Sequence, residues 1–265
     1  MALQLLIAAV DQKVPALFDM MRLQSDAVLV NQCGTEADEE IAYGSHTVRV
    51  LSSAERGVGA SRNLALRHAG SELLLFSDED IVYDDGYAER VEQAFSEHPE
   101  ADMLLFNVMA MEGRRTYRNT SYHRIGHTNY GRYPAYSIAA RTKRLQQSGV
   151  TFSLLFGGGA PYSNGEDSLF LKDCLNAGLR IYAIPVDLGH ERERESTWFH
   201  GYNEKFFFDR GVLYHFLYGA MAVPLALRFL LLKQKEMCRT IPVSRAFRLM
   251  RDGIRQGKKE REQET

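Results

Sequence analysis

An α/β fold, with a mainly parallel central sheet flanked by helices, follows from three features of this 265-residue sequence. Its first hundred residues alternate short apolar runs with helix-like segments, the pattern of parallel strands joined by covering helices. A hydrophobic content of 45% suffices at this length for a full core. The apolar run Leu73-Leu74-Leu75-Phe76 passes directly into Ser77-Asp78-Glu79-Asp80. That sets acidic side chains at the carboxyl edge of a sheet, where open α/β sheets bind ligands.

Strands are predicted at 3–10, 27–30, 47–51, 73–76 and 103–108, all apolar and strand-sized. The first has neither a basic flank nor a small-residue cleavage pattern, so it reads as a core strand rather than a signal peptide. Helices are predicted at 60–69, stopped by Gly70, and at 85–96, where Tyr87, Val91, Ala94 and Phe95 share a face. From 114 to 144 the sequence is aromatic and basic without clear period, and reads as loops and short strands beside a cleft. A helix at 166–177, closed by Gly178, precedes a strand at 180–184 that ends at Pro185.

Residues 206–232 are strongly apolar, but His215, Pro224 and Arg228 interrupt the roughly 20 apolar residues that a membrane span requires. A helix pair packed on the domain or lying in a membrane interface is expected. Between Arg228 and Lys259 ten Lys or Arg stand against only Glu236 and Asp252, an asymmetry that points to an anionic surface as partner. The three cysteines, Cys33, Cys174 and Cys238, have no paired spacing. This argues against a disulfide framework or a zinc site and for a reducing, cytoplasmic environment.

Four features carry chemistry. On an extended backbone Asp78 and Asp80 point the same way and can serve one Mg2+ or Mn2+, with Glu79 turned elsewhere; the bland alternative is a solvated turn. Gly57-Val58-Gly59-Ala60-Ser61-Arg62-Asn63 puts small residues where a loop enters a helix, so backbone can approach an anion and Arg62 adds a cationic fork. A plain glycine turn has the same look. Glu166-Asp167 follows Gly157-Gly158-Gly159 and opens a helix, where acids either complement the helix dipole or supply a general base. His190, just past a strand, is either structural or a metal ligand that would tilt preference toward Mn2+.

In this order and spacing, Gly59-Ala60-Ser61-Arg62-Asn63, Asp78-Glu79-Asp80 and Gly165-Glu166-Asp167 resemble the family 2 glycosyltransferases of the GT-A fold. The resemblance covers about Leu3 to His190. The stretch from Glu195-Ser196-Thr197-Trp198-Phe199 to Phe208-Asp209-Arg210-Gly211 looks like the tail of bacterial capsule or cell-surface polysaccharide members. The expected organisation is a GT-A catalytic domain at 1–195, as the resemblance implies, a C-terminal helical, apolar and basic extension at 196–256, and a disordered tail at 257–265, from its polar composition.

The resemblance further implies a metal-dependent, inverting transfer from a nucleotide diphosphate sugar, expected to be a UDP-sugar, to a saccharide or lipid-linked acceptor. Asp167 would be the base with Glu166 supporting it, and Asp80 and His190 would hold Mn2+ or Mg2+. Ala8, Val10, Asn31, Arg62, Asn63 and Asp78 would form the nucleotide site. Where the family has a Pro-x-Tyr-Asn loop, this chain has Ala8-Ala9-Val10-Asp11-Gln12, and where acids often follow the second strand it has Asn31-Gln32-Cys33-Gly34. Asn31 is then expected to meet a pyrimidine edge, and Asp11 to replace part of the acidity. No nucleic acid partner is expected, and the enzyme would be cytoplasmic, with the basic tail bringing it to the inner face of the cell membrane. The rival readings are a haloacid dehalogenase-type phosphatase with Asp78 as nucleophile, and a non-enzymatic peripheral membrane domain.

Overall fold

The computed structural model describes residues 1–110, 117–192 and 201–263. The chain first lays down β1 (Leu3–Val10), α1 (Val14–Met21), β2 (Asp26–Gln32), β3 (Ala37–Tyr43), β4 (His46–Ser53), α2 (Val58–His68) and β5 (Leu73–Asp78). Next come β6 (Ile81–Tyr83), α3 (Tyr87–Glu97), β7 (Met103–Met109), β8 (His123–Arg124), β9 (Ile138–Arg141) and α4 (Thr142–Ser148). The described chain ends with α5 (Glu166–Asn176), β10 (Ile181–Glu191), α6 (Glu204–Tyr218), α7 (Ala222–Met237) and α8 (Val243–Gln263).

One ten-stranded sheet runs in the order β3-β4-β2-β1-β5-β9-β7-β10-β6, with β8 on β10. Strands β4, β2, β1 and β5 are parallel. Their apolar runs are buried on both faces, as a sheet covered by helices on each side requires. In β1, Leu5 and Ile7 pack toward α1 and α3, whereas Leu6 joins the opposite layer with α2, α4 and α5. The antiparallel β9 lies between β5 and β7. It comes from the aromatic stretch read from sequence as loops and short strands.

Strand β10 does not stop at Pro185. It continues to Glu191 through register shifts against β7 between Ala183 and Gly189, because a bulge removes the ladder position at which proline lacks a donor. The tail expected to be disordered from Gly257 is helical to Gln263. Buried Met250 and Ile254 hold α8 on α6, and close approach is possible because Gly211, Gly253 and Gly257 stand at the crossing. A Cβ on any of them would strike backbone of the facing helix. The expected domain boundary at 195/196 and the Trp198 segment lie outside the described residues.

The helix pair expected in 206–232 is present as α6 and α7. Helix α6 is tied to the main body by Leu213 and Val212, which share a small core with Phe156, Tyr162 and Leu169. Helix α7 keeps an apolar face outward, with Leu231 at 53% and Leu232 at 66% exposure.

Candidate active site

A cleft of about 1270 Å³ opens where β1 and β5 end, walled by the start of α2, the turn after β5, the start of α5, the end of β10 and the inner face of α6. Its position at the carboxyl ends of parallel strands is the one open α/β sheets use for ligands.

Arg62 is the hub. Its side chain is 4% exposed, and Nη2 donates to both oxygens of Asp78 at 2.9 and 3.2 Å. Nη1 donates to Asp167 Oδ1 at 2.9 Å and to Glu166 Oε1 at 3.5 Å. The three sequence motifs therefore meet on one guanidinium, which also lies 5.2 Å from the centre of the Phe152 ring. Burial opposes the charge of Arg62, but Asp78, Asp167 and Glu166 outweigh it and hold the guanidinium protonated beyond its ordinary range.

Local structure explains how Arg62 is aimed. Helix α2 starts at Gly57 with φ of 124°, and a Cβ on Gly59 would strike the Ser153 carbonyl oxygen. Asn63 donates to the Phe152 carbonyl at 2.8 Å and accepts from the Phe152 N–H at 2.7 Å. Both amide functions of Asn63 are thus spent on holding α2 to this segment. Asn63, expected at the nucleotide, is a structural clamp outside the cleft wall, and Gly59 answers to backbone packing.

Asn31 is a second such correction. Its Oδ1 accepts from the Gln12 N–H at 3.0 Å and its Nδ2 donates to the Gln12 carbonyl at 2.9 Å, so it fixes the loop after β1, and it does not line the cleft. Ala8 and Val10 do line the cleft. Beside them stand Gln32 and Arg56, joined by a 2.8 Å bond from Arg56 Nη1 to the Gln32 carbonyl. Neither was assigned a role from sequence, although Arg56 directly precedes the glycine motif. Asp11 sits with φ of 51°, its carboxylate 3.4 Å from Arg56.

The acidic turn behaves differently from a continued strand. Strand β5 ends at Asp78, so alternation lapses and Glu79 is not turned away. Its Oε2 accepts from the Val10 N–H at 2.7 Å, and it lines the cleft together with Asp80. His190 is exposed and stands outside the cleft. Its neighbour Glu191 faces in, because adjacent strand residues point to opposite sides, and it accepts from the Tyr136 hydroxyl at 2.7 Å. Among the described residues no group of three or more His, Cys, Asp or Glu is arranged to hold a metal.

Glu166 and Asp167 open α5, whose cap Gly165 has φ of 115° and is covered by the Leu213 methyls of α6. The preceding segment is fixed by Asp209, which accepts from both the N–H and hydroxyl of Ser163. Tyr162 donates to Glu260 of α8 at 2.7 Å. The C-terminal helices thus set the position of the acidic pair. Burial first, and then the charge of Glu166, raise the Asp167 carboxyl far above its ordinary range, against the opposing pull of Arg62. A carboxylate so placed is a stronger proton acceptor near neutrality than a solvated one.

The model of the family described as glycosyl transferase family 2 matches residues 12–157, more than half of the chain. No curated protein matches the sequence. Among solved structures, S. aureus TarS 1-349 in complex with UDP-GlcNAc superposes with a TM-score of 0.63 at 16% identity, covering 91% of this chain and 74% of TarS 1-349. The complex of TarS 1-349 with UDP gives 0.58 at 17% identity over the same shares. A longer TarS structure gives 0.58 at 18%, with 44% of its chain covered. The phosphatase and non-enzymatic alternatives fall with these findings. By its matched length and its fold, the chain belongs to glycosyl transferase family 2 and is a glycosyltransferase of the GT-A type.

Proposed function

We propose that this glycosyltransferase moves a sugar from a nucleoside diphosphate donor of the uridine type to a hydroxyl of a saccharide or lipid-linked acceptor, with inversion. The observation that carries the reading is the single guanidinium of Arg62 joining Asp78 to Glu166 and Asp167 across one cleft. The UDP and UDP-GlcNAc complexes of TarS support the donor class.

The nucleoside would lie toward Ala8, Val10, Gln32 and Arg56, with the diphosphate toward the acidic turn. Asp80 fits a Mg2+ or Mn2+ of the kind held by one or two carboxylates plus substrate phosphates, a mode needing no three-ligand cage and no imidazole from His190. Such an ion would neutralise charge on the departing diphosphate. Asp167, held in place by Arg62, takes the proton of the attacking hydroxyl as oxygen meets the anomeric carbon from the face opposite the diphosphate. Glu166, next to Asp167 and bonded to the same guanidinium, adds to the basicity of Asp167. Surface-polysaccharide synthesis is a setting that suits such an acceptor.

In a thermal-shift panel of nucleotide sugars with and without Mn2+, a UDP-sugar should raise the unfolding midpoint most, and more with Mn2+. Asp80→Asn should lose the metal-dependent part. Absence of metal-dependent stabilisation by any nucleoside diphosphate would remove the metal-assisted reading.

A cytoplasmic enzyme resting on a membrane is the setting proposed. By length and composition the stretch Glu204–Met237 could cross a bilayer, with a mean hydropathy of 1.6 in its most apolar window. However, α6 spends its inner face on the cleft and on Gly165. Val223, Leu227 and Leu231 of α7 form an outward apolar stripe among the basic residues of the C-terminal third, which suits contact with an anionic leaflet. Liposomes rich in anionic lipid should retain the parent chain but not Leu227→Glu/Leu231→Glu. Equal sedimentation of both would exclude this face as the contact.

A further inference from the structure

Asp209 of α6 carries a carboxylate that is 4% exposed and that the proposed chemistry does not use. Its Oδ2 accepts from the Ser163 N–H at 3.0 Å, from the Ser163 hydroxyl at 2.6 Å and from Lys205 Nζ at 2.6 Å. The same ammonium reaches the Pro161 carbonyl at 3.0 Å. Burying a carboxylate is costly even when it is paired, and an apolar side chain of similar volume often serves stability as well or better. Among the buried Phe206, Val212 and Leu213 of the same helix, an aspartate is therefore placed for what it holds.

What it holds is the turn that delivers the acidic pair. Ser163 stands three residues before Glu166. One helical turn along α6 from Asp209, the Leu213 methyls cover Gly165, whose φ of 115° opens α5. Behind the turn, the Gly157 N–H donates to the Tyr162 carbonyl at 2.9 Å, and a Cβ on Gly157 would strike the Glu166 carboxyl. The approach to Glu166 and Asp167 is thus pinned by α6 at 161, 163 and 165, and by α8 at Tyr162 through Glu260. All of these contacts lie outside the family match except the one at its last residue, 157.

We infer that Asp209 is a positioning residue for sugar transfer: through Ser163 it fixes the depth at which Asp167 sits in the cleft, so the C-terminal helices set the readiness of the base. The inference rests on the reading of Asp167 as base. The charged and titratable groups facing Asp167 are Glu166 of its own helix, Arg62 of α2, Asp78 of β5 and Tyr136 ahead of β9. Among the described residues Asp209 bonds to none of them, and its influence passes through the turn. Burial is what raises the Asp167 carboxyl most. A turn released from α6 would admit water and bring that carboxyl back toward its ordinary range.

The test is a carbon-13 titration of the full chain labelled at aspartate, following the carboxyl resonance that Asp167→Asn removes. In the parent it should titrate well above the ordinary carboxylate range. In Asp209→Ala its midpoint should fall by about one pH unit, a tenfold change in the ionisation equilibrium, with UDP affinity unchanged within twofold. Asp209→Asn, which keeps an oxygen for Ser163, should recover most of the parent midpoint. Where Asp209→Ala does not fold, Ser163→Ala, which removes the hydroxyl bond alone, should lower the midpoint by a smaller amount. Leu230→Ala, in the core that α6, α7 and α8 share, should lower the thermal midpoint and leave the titration as in the parent. The proposal is overturned if Asp209→Ala, or Ser163→Ala in its place, titrates like the parent, if UDP affinity falls in parallel, or if Leu230→Ala moves the resonance as far. Transfer retained by Asp167→Asn would remove the base reading itself, whereas an unmoved titration alongside an inactive Asp167→Asn removes this proposal alone.

Discussion

Asp167→Asn should lower sugar transfer on the order of 10³-fold, the size of effect expected from losing a positioned general base, while leaving UDP binding as in the parent. The amide oxygen can still accept from Arg62 Nη1, now 2.9 Å from Asp167 Oδ1, so the cleft keeps its shape and only proton transfer is lost. The pH dependence carries the same assignment. Burial and the Glu166 charge raise the Asp167 carboxyl, so the base is protonated and idle at acidic pH and becomes competent as pH rises through that shifted value. The acidic limb of kcat/KM in the parent should therefore lie well above the ordinary carboxylate range, with activity climbing through neutral pH. Steady-state rates from pH 5 to 9 check this. Near-normal transfer by the asparagine variant would move the base to Glu166.

Removing the hub should damage stability and activity together. Arg62→Met leaves Asp78, Glu166 and Asp167 crowded without a counter-charge, where their side chains are 25%, 13% and 24% exposed. Breaking a buried ionic arrangement from one side costs about 3–5 kcal/mol. For a chain of this size that is a fall of roughly 10 °C in the thermal midpoint. Uncompensated carboxylates favour their protonated form in the folded state, so the loss should be smallest at low pH and grow as pH rises. Midpoints of parent and variant at pH 5 and pH 8 would show it. An equal deficit at both values would mean that Arg62 acts by packing on Phe152 rather than by charge.

The parallel strands were legible because their apolar runs are unbroken: β1 and the starts of β5 and β7 fall where composition alone puts them. The three motifs were legible as a set, and the structure joins them through Arg62. What sequence hid was mostly orientation. His190 and Glu191 differ by one residue in a strand, and one residue exchanges the faces of a sheet, so the carboxylate and not the imidazole meets the cleft. Asn31 and Asn63 have the chemistry of ligand-binding amides, yet each closes a two-bond ring with backbone, a partner whose proximity no local pattern reveals. Strand β9 escaped because Ile138-Ala139-Ala140-Arg141 is too short to carry a period of its own. The role of α6 as a cleft wall was masked by its apolar sequence, which read as a helix packed on the domain or lying in a membrane interface.

The glycine crossing of α6 and α8 has a mechanical consequence. Backbone rests on backbone at Gly211, Gly253 and Gly257, with little side-chain padding between the axes to absorb sliding. The two helices must therefore travel as one lever. A hinge that moved α6 at the cleft would carry the whole of α8 with it, so the position of α8 on the far side of the crossing would report how open the cleft stands.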